Sequence, residues 1–255
     1  MIIKFIIYIL AGLAAGAVTG LTGLAAAVVI TPALTVLCGM DGYQAVTVAL
    51  ACSAVTSAAA AYNCGRQGHI QLKKTPLLLI TAAVFAIGGC WLGQKIPHES
   101  LGVICVYLMP LMGLKLLFMP QTNLQAMRSL QPTKAILLET VLIGAVIGLL
   151  AGFIGVGSSE LLVTTLTIVL CYDIRHSTGT GLLLMAVLSL AGCVGHICLG
   201  GWPDTTALVM CVFAGFIGTA FSAKPATRLT TGEINRTAGY SLLIVGIILL
   251  VLNYI

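Results

Sequence analysis

A short stretch of otherwise apolar sequence holds side chains that could do chemistry. Glu160 follows Ser158 and Ser159 directly, and it is the one acidic residue that lies well inside an apolar segment. An ionisable group buried in apolar surroundings is costly and suggests a function by default. Burial favours the neutral acid, which suits a group that carries a proton. Glu160 is therefore a proton-coupling candidate, and a neutral, hydrogen-bonded structural glutamic acid is the alternative.

His196 is the second candidate for handling a proton or touching a substrate. It lies late in the apolar segment 177–199, where a hydrogen-bonded packing role is the alternative. Ser158 and His196 together resemble the serine–histidine pair of a hydrolase. Glu160 follows Ser159, however, so the serine does not lie in a G-x-S-x-G setting. We therefore expect no enzyme and assign no catalytic residue.

Glycines recur in a ladder that occurs twice. Equivalent members are 132 residues apart: Gly12, Gly16, Gly20 and Gly23 match Gly144, Gly148, Gly152 and Gly155. The same offset pairs identical residues elsewhere, among them Leu10/Leu142, Asp41/Asp173, Leu50/Leu182, Ser57/Ser189 and Gly68/Gly200. A duplicated apolar segment interrupted by glycines is typical of a membrane transporter built from two repeats. The substrate of such a transporter binds where the interrupted segments meet.

The ladders also predict how a small anion could be bound without a buried Lys or Arg. A helix that begins at a break leaves backbone N–H groups free and carries a partial positive charge. Close helix packing is the alternative use of the glycines. The residues of this chain that we expect to contact the substrate are Gly20, Thr22, Gly23, Thr31, Thr47, Asn63, Gly152, Gly155, Gly157, Ser158, Ser159, Thr178, Thr180 and His196.

The composition places the whole chain in a membrane. Only 7% of the 255 residues are charged, whereas a soluble domain carries about 25%, and the mean hydropathy is +1.11. Apolar runs long enough to span a bilayer cover 5–38, 44–62, 76–94, 100–119, 137–171, 177–199, 205–222 and 237–254. The twelve basic residues are thinly spread, so we expect no nucleic-acid partner. The nine cysteines form no CxxC or Cys/His spacing, and we therefore expect no metal or cofactor.

The chain divides into two repeats of one transmembrane domain. We place repeat one at 1–119, a polar connecting loop at 120–136 and repeat two at 137–255. Each ladder segment holds about 34 residues, or about 51 Å of helix, whereas the hydrocarbon core is about 30 Å thick. Each segment should therefore break near its glycines. Two short helices and a re-entrant hairpin are both open.

Loop charges predict the orientation, because positive charge favours the cytoplasm. If each ladder segment returns to its own side, only Lys4 and Lys95 lie on one side of the membrane. The other ten basic residues then share the opposite side: Arg66, Lys73, Lys74, Lys115, Arg128, Lys134, Arg175, Lys224, Arg228 and Arg236. A single crossing by each segment would give a split of seven to five. The charges favour the first arrangement, with inverted repeats and both termini outside.

The residues described above resemble one family of membrane proteins. The duplicated ladder, Gly157-Ser158-Ser159 and Thr178-Gly179-Thr180 look like the sulfite exporter TauE/SafE family, also called the toluene-sulfonate uptake permeases. Pro32 matches a proline of the family motif, which adds it to the expected substrate contacts. Two departures are Leu24-Ala25-Ala26-Ala27, where glycines are usual, and Thr164, where proline is usual.

The resemblance implies an all-α, multi-pass protein of the bacterial inner membrane. Members of the family move sulfite, organosulfonates or related small sulfur-containing anions. We therefore predict a secondary transporter (permease or exporter) in which two repeats expose one midplane site to each side in turn. Proton coupling is an added expectation. An anion channel and an intramembrane hydrolase are the alternatives. Faces such as Gly12/Gly16 could pack within one chain or in a homodimer.

Overall fold

The chain folds into helices in a computed structural model, which describes residues 2–73, 75–118, 133–155, 158–226 and 231–254. These residues form ten helices and no strand. The helices are α1 (Ile2–Thr22), α2 (Ala27–Cys38), α3 (Gly42–Arg66), α4 (Pro76–Lys95), α5 (His98–Phe118), α6 (Thr133–Phe153), α7 (Ser158–Ile168), α8 (Ile174–Cys198), α9 (Thr205–Ala226) and α10 (Thr231–Tyr254).

Seven of the helices in the described ranges are long and apolar enough to cross a membrane. They are α1, α3, α4, α5, α8, α9 and α10. The expectation of an all-helical membrane protein is confirmed. Helices α2 and α7, with 12 and 11 residues, are too short to span a core about 30 Å thick.

The backbone repeats with the same period as the glycines. Helices α3 and α8 begin and end 132 residues apart, at Gly42–Arg66 and Ile174–Cys198. Six described residues have a positive φ, and they form three pairs with this offset: Gly23/Gly155, Gly39/Cys171 and Gly68/Gly200. A left-handed conformation costs a residue with a side chain about 1–2 kcal/mol. The two halves therefore turn at equivalent points.

Both ladder segments break where the glycines predict. Helix α1 ends at Thr22 and α2 begins at Ala27, while α6 ends at Phe153 and α7 begins at Ser158. We call the first of these interruptions break one and the second break two. The halves of each segment are unequal, because α1 and α6 have 21 residues each, about 31 Å of helix. Each segment thus consists of one long helix followed by a half-length helix, so of the two forms left open, a pair of short helices does not occur.

The first ladder segment folds back on itself. Lys4 and Tyr8, near the start of α1, lie within electrostatic range of Cys38 at the end of α2. Since Ala27 begins α2 beside the middle of α3, where the Ser53 hydroxyl accepts from its amide, α2 runs from the interior back to the side on which α1 starts.

The ladder glycines form the tightest helix contacts. Each of these contacts joins a helix of one repeat to a helix of the other. A Cβ on Gly12 would lie 2.7 Å from the Cys211 carbonyl oxygen of α9, so the backbones of α1 and α9 touch. Gly148 makes the equivalent approach to the Ala82 backbone of α4. Among the described helices, these two pairs, α1 with α9 and α6 with α4, share the most extensive contacts. The packing use of the glycines is therefore realised within one chain.

Equivalent helices cross one another in the centre and run in opposite directions. In α3 and α8, Leu50 lies against Gly192 while Cys64 lies against Gly179. In α5 and α10, Gly246 lies against Pro110 while Gly239 lies against Leu117. The order of the contacts along the two helices is therefore again reversed. These crossings place the middle of each repeat near the middle of the molecule.

Candidate functional site

The two breaks meet in the interior of the protein. The Ala25 amide of break one donates to the Ser159 hydroxyl at the start of α7, at 3.2 Å. A Cβ on Gly155 in break two would lie 3.4 Å from the Ala27 Cβ, and closer still to Leu50 of α3. Ala25, Ala27 and Ser159 are all buried. The candidate site is therefore the junction of the breaks, walled by α3.

Hydroxyl oxygens accept hydrogen bonds from several backbone amides at break one. The Leu24 amide donates to Thr22 Oγ1 at 3.2 Å, and the Ala27 amide donates to Ser53 Oγ at 3.0 Å. Together with the Ala25–Ser159 bond, these contacts satisfy N–H groups that the sequence led us to expect free for an anion. Among the described residues, the Ala26 amide is the one N–H of this break for which no hydrogen bond is found.

Three buried hydroxyls in the described part of the chain have no hydrogen-bond partner. They belong to Thr31, Ser57 and Ser189, and each residue is fully buried. Ser57 lies one helical turn beyond Ser53, whose hydroxyl accepts from the Ala27 amide. A buried hydroxyl without a partner loses its hydration energy with no return, so such groups call for an explanation.

Ser57 and Ser189 were missed as site residues, although the sequence held a signal. They occupy equivalent positions in the two repeats, on α3 and α8 close to the point where these helices cross. Duplication has thus kept the same small polar group on both sides of the centre. Thr31 was predicted as a substrate contact from its place beside the first ladder.

Glu160 has a cationic partner that the sequence analysis did not foresee. It lies in the first turn of α7, and its carboxylate forms an ion pair with the Lys115 ammonium of α5. Lys115, counted above among the loop charges, lies in the last turn of α5. Without it, the charge split becomes nine to two.

His196 fastens the end of α6. Its Nε2 atom lies 2.7 Å from the Gly152 carbonyl oxygen, and since a carbonyl can only accept, Nε2 carries the proton. The last carbonyls of a helix lack partners within the helix, so this bond satisfies one of them. The ring also stacks against Tyr43, with centroids 4.4 Å apart. Nδ1 has no partner among the described residues.

Several other predicted residues serve the backbone of the breaks. Thr22 also donates to the Val18 carbonyl, and Thr178 approaches Gly23 while donating to Ile174. Pro32 is buried inside α2. These residues shape or surround break one, and they place no free donor in it.

Some predicted residues lie away from the junction or serve packing. Thr180 exchanges hydrogen bonds with the Gln71 backbone, which ties the loop after α3 to α8. Thr47 donates to the Tyr43 carbonyl. Gly20 packs against Ser222. Gly157 lies outside the described residues, and of Ser158 only the backbone is described.

Asn63 lies in a groove of about 800 Å³ on the outer face of α3 and α8. The walls are apolar, and several of their side chains are exposed, among them Val55, Val187 and Leu190. Such walls provide no counter-charge for an anion. The structure therefore brings Asn63 to a different surface from the breaks.

Two comparisons with known proteins found similar sequences. The family model "Sulfite exporter TauE/SafE" matches residues 8–249. The chain is 30% identical over 212 residues to "Probable membrane transporter protein YdhB" of Bacillus subtilis (strain 168), which covers 82% of this chain and 85% of that protein. No solved structure matches the chain.

Proposed function

Because the chain belongs to the sulfite exporter TauE/SafE family, we propose that it is a secondary transporter of small sulfur-containing anions, such as sulfite or organosulfonates. The observation that carries this proposal is the junction of the two breaks, where the Ala25 amide meets Ser159. In transporters built from two repeats, interrupted helices of this kind form the substrate site near the midplane.

The anion site that we propose uses hydrogen-bond donors at this junction. The Ala26 amide and the hydroxyls of Ser57 and Ser189 have no partner among the described residues. An oxyanion offers several acceptor oxygens to such donors. Thr22, Ser53 and Ser159 then hold the backbone of break one in the shape that exposes the remaining donors.

We propose inverted repeats and alternating access for the transport cycle. The opposite directions of α3 and α8, and of α5 and α10, support this, because inverted equivalents must run antiparallel. The return of α2 to the starting side of α1 gives an odd number of crossings per repeat. The nine-to-two distribution of basic residues supports an orientation with both termini outside the cytoplasmic membrane of a bacterium.

Proton coupling is proposed for Glu160, with His196 as a weaker candidate. Protonation of Glu160 would break its ion pair with Lys115, which links a proton to a contact between the repeats. His196 is held by Gly152 and Tyr43, so its geometry supports a clamp better than a carrier. If Glu160→Gln leaves pH-dependent transport intact, the coupling proposal is wrong.

The direct test is transport by the purified protein in sealed vesicles. We expect uptake or efflux of sulfite and small sulfonates, and much slower movement of carboxylates of similar size. Saturable, slow turnover supports a carrier, whereas unitary currents far above a carrier cycle would support an anion channel. Vesicles in which neither sulfite nor any sulfonate moves faster than through protein-free membrane would refute the proposed substrate class.

A further inference from the structure

Lys115 lies in the last turn of α5, and its ammonium forms an ion pair with Glu160. Lys115 is two residues past Gly113, where α5 crosses α10, and it lies within the 100–118 span. A lysine near a helix end ordinarily extends its ammonium to the membrane surface, whereas the Lys115 ammonium pairs with the Glu160 carboxylate of another helix. Charged residues within membrane-spanning helices commonly mark substrate or ion pathways.

The partner of Lys115 lies beside the junction of the breaks. Glu160 follows Ser159, whose hydroxyl accepts from the Ala25 amide of break one. The Glu160 side chain is 11% exposed, whereas the Lys115 side chain is 41% exposed. The carboxylate is thus enclosed next to the site, while the ammonium reaches it from a more open position.

The ion pair does not belong to the duplicated scaffold. The repeat offset places Ile247 opposite Lys115 and Val28 opposite Glu160, so the equivalent place in the other half is apolar. The fold therefore does not need a charge pair at this position. In the described part of the chain, α5 and α7 pack mainly against other helices and not along each other. The ion pair joins a residue of repeat one to a residue of repeat two.

We propose that Lys115 is the cationic contact of the transported anion and that Glu160 is the counter-ion it displaces. This rests on the function proposed above. Without substrate, the carboxylate neutralises the ammonium. A sulfite or sulfonate group that enters the junction pairs with the Lys115 ammonium in place of the Glu160 carboxylate. The nearby hydroxyls bind the other oxygens of the anion. Substrate binding and separation of α5 from α7 are then the same event.

This exchange predicts opposite effects of the two partners on affinity. Removal of the Glu160 charge leaves Lys115 without its internal competitor, so anions should bind more tightly. Removal of the Lys115 charge takes away a charge-assisted contact and leaves a repelling carboxylate beside the site. A contact to a charged group is worth enough to change a dissociation constant about tenfold.

The test measures binding of sulfite and of methanesulfonate to the purified protein by ligand-induced thermal stabilisation. We expect Glu160→Gln to bind about tenfold more tightly and Lys115→Gln about tenfold more weakly. The double variant lacks the ammonium but also lacks the repelling carboxylate, so it should bind more weakly than the natural protein and more tightly than Lys115→Gln. Lys95→Gln is the matched control, because Lys95 lies at the end of α4 over the Trp91 ring; its affinity should equal that of the natural protein.

The outcomes separate this inference from the proposed function. If the natural protein binds neither anion, both the proposed function and this inference fail. If it binds them and Lys115→Gln binds equally well, only the role of Lys115 fails. Weak binding by the double variant with an unfolding temperature near that of the natural protein shows that the charge, and not the fold, was lost. Equal affinity in Glu160→Gln and the natural protein would overturn the exchange.

Discussion

The Ser159 hydroxyl of the second repeat accepts a hydrogen bond from the Ala25 amide of the first repeat, across 134 positions of sequence. Both residues are buried. This hydrogen bond joins the start of α7 to break one. Two short helices that would be unstable alone are thereby held at one point inside the protein.

Ser53 and Ser57 should respond differently to the same substitution. Ser53→Ala removes the acceptor of the Ala27 amide and should lower the free energy of unfolding by about 1 kcal/mol. Ser57→Ala removes a hydroxyl without a partner and should leave stability nearly unchanged while it weakens anion binding. Thermal unfolding and anion titration of both variants check this. Equal losses of stability would contradict the separate roles of the two serines.

The ladder glycines should tolerate no side chain where helices touch. A Cβ on Gly148 would strike the Ala82 backbone of α4, so Gly148→Ala should destabilise the protein by about 1–3 kcal/mol. Gly88→Ala is the matched control in the same interface, because its Cβ would lie 3.6 Å from Leu149 Cδ2, an ordinary contact. Alanine at position 88 should stabilise the helix slightly. The two unfolding temperatures, measured in one detergent, should therefore move in opposite directions.

His196 should prove replaceable by a side chain that can donate from the same place. His196→Leu leaves the Gly152 carbonyl without this donor and should cost about 1–3 kcal/mol. His196→Gln can donate its amide N–H to that carbonyl and should recover part of the loss. Thermal unfolding checks the stability, and vesicle transport shows whether Gln also keeps the activity. Transport that collapses in the Gln variant at normal stability would favour a direct role of the imidazole in substrate or proton transfer.

Two exposed cysteines offer a test of the orientation. Cys171 precedes α8 and Cys198 ends it, and a helix of 25 residues is about 37 Å long. In intact cells that hold single-cysteine variants, a membrane-impermeant maleimide should label Cys198 at once. Cys171 should react only after the membrane is permeabilised. The reverse order would invert the proposed orientation, and rapid labelling of both would show that α8 does not cross.

The features that local physics and duplication determine could be predicted from the sequence. The break after Gly23 follows from a segment too long for the bilayer, and its twin after Gly155 follows from the repeat. Neither the Ser53–Ala27 bond nor the Lys115–Glu160 pair could be predicted in this way, because each depends on how separate helices are rotated and juxtaposed. The expectation of free amides was also too simple, since the nearby hydroxyls that were expected to bind substrate bind the backbone instead.

The close packing of α1 against α9 has a consequence for biogenesis. Helix α1 leaves the ribosome well before α9, which begins only at Thr205. During most of translation, the surface of α1 that holds Gly12 and Gly16 is therefore not yet covered by α9. A chain truncated before α9 would keep that surface uncovered, and cellular proteases that remove orphaned membrane segments would recognise it. Packing of α1 in the protein thus depends on a segment in the last fifth of the 255-residue sequence.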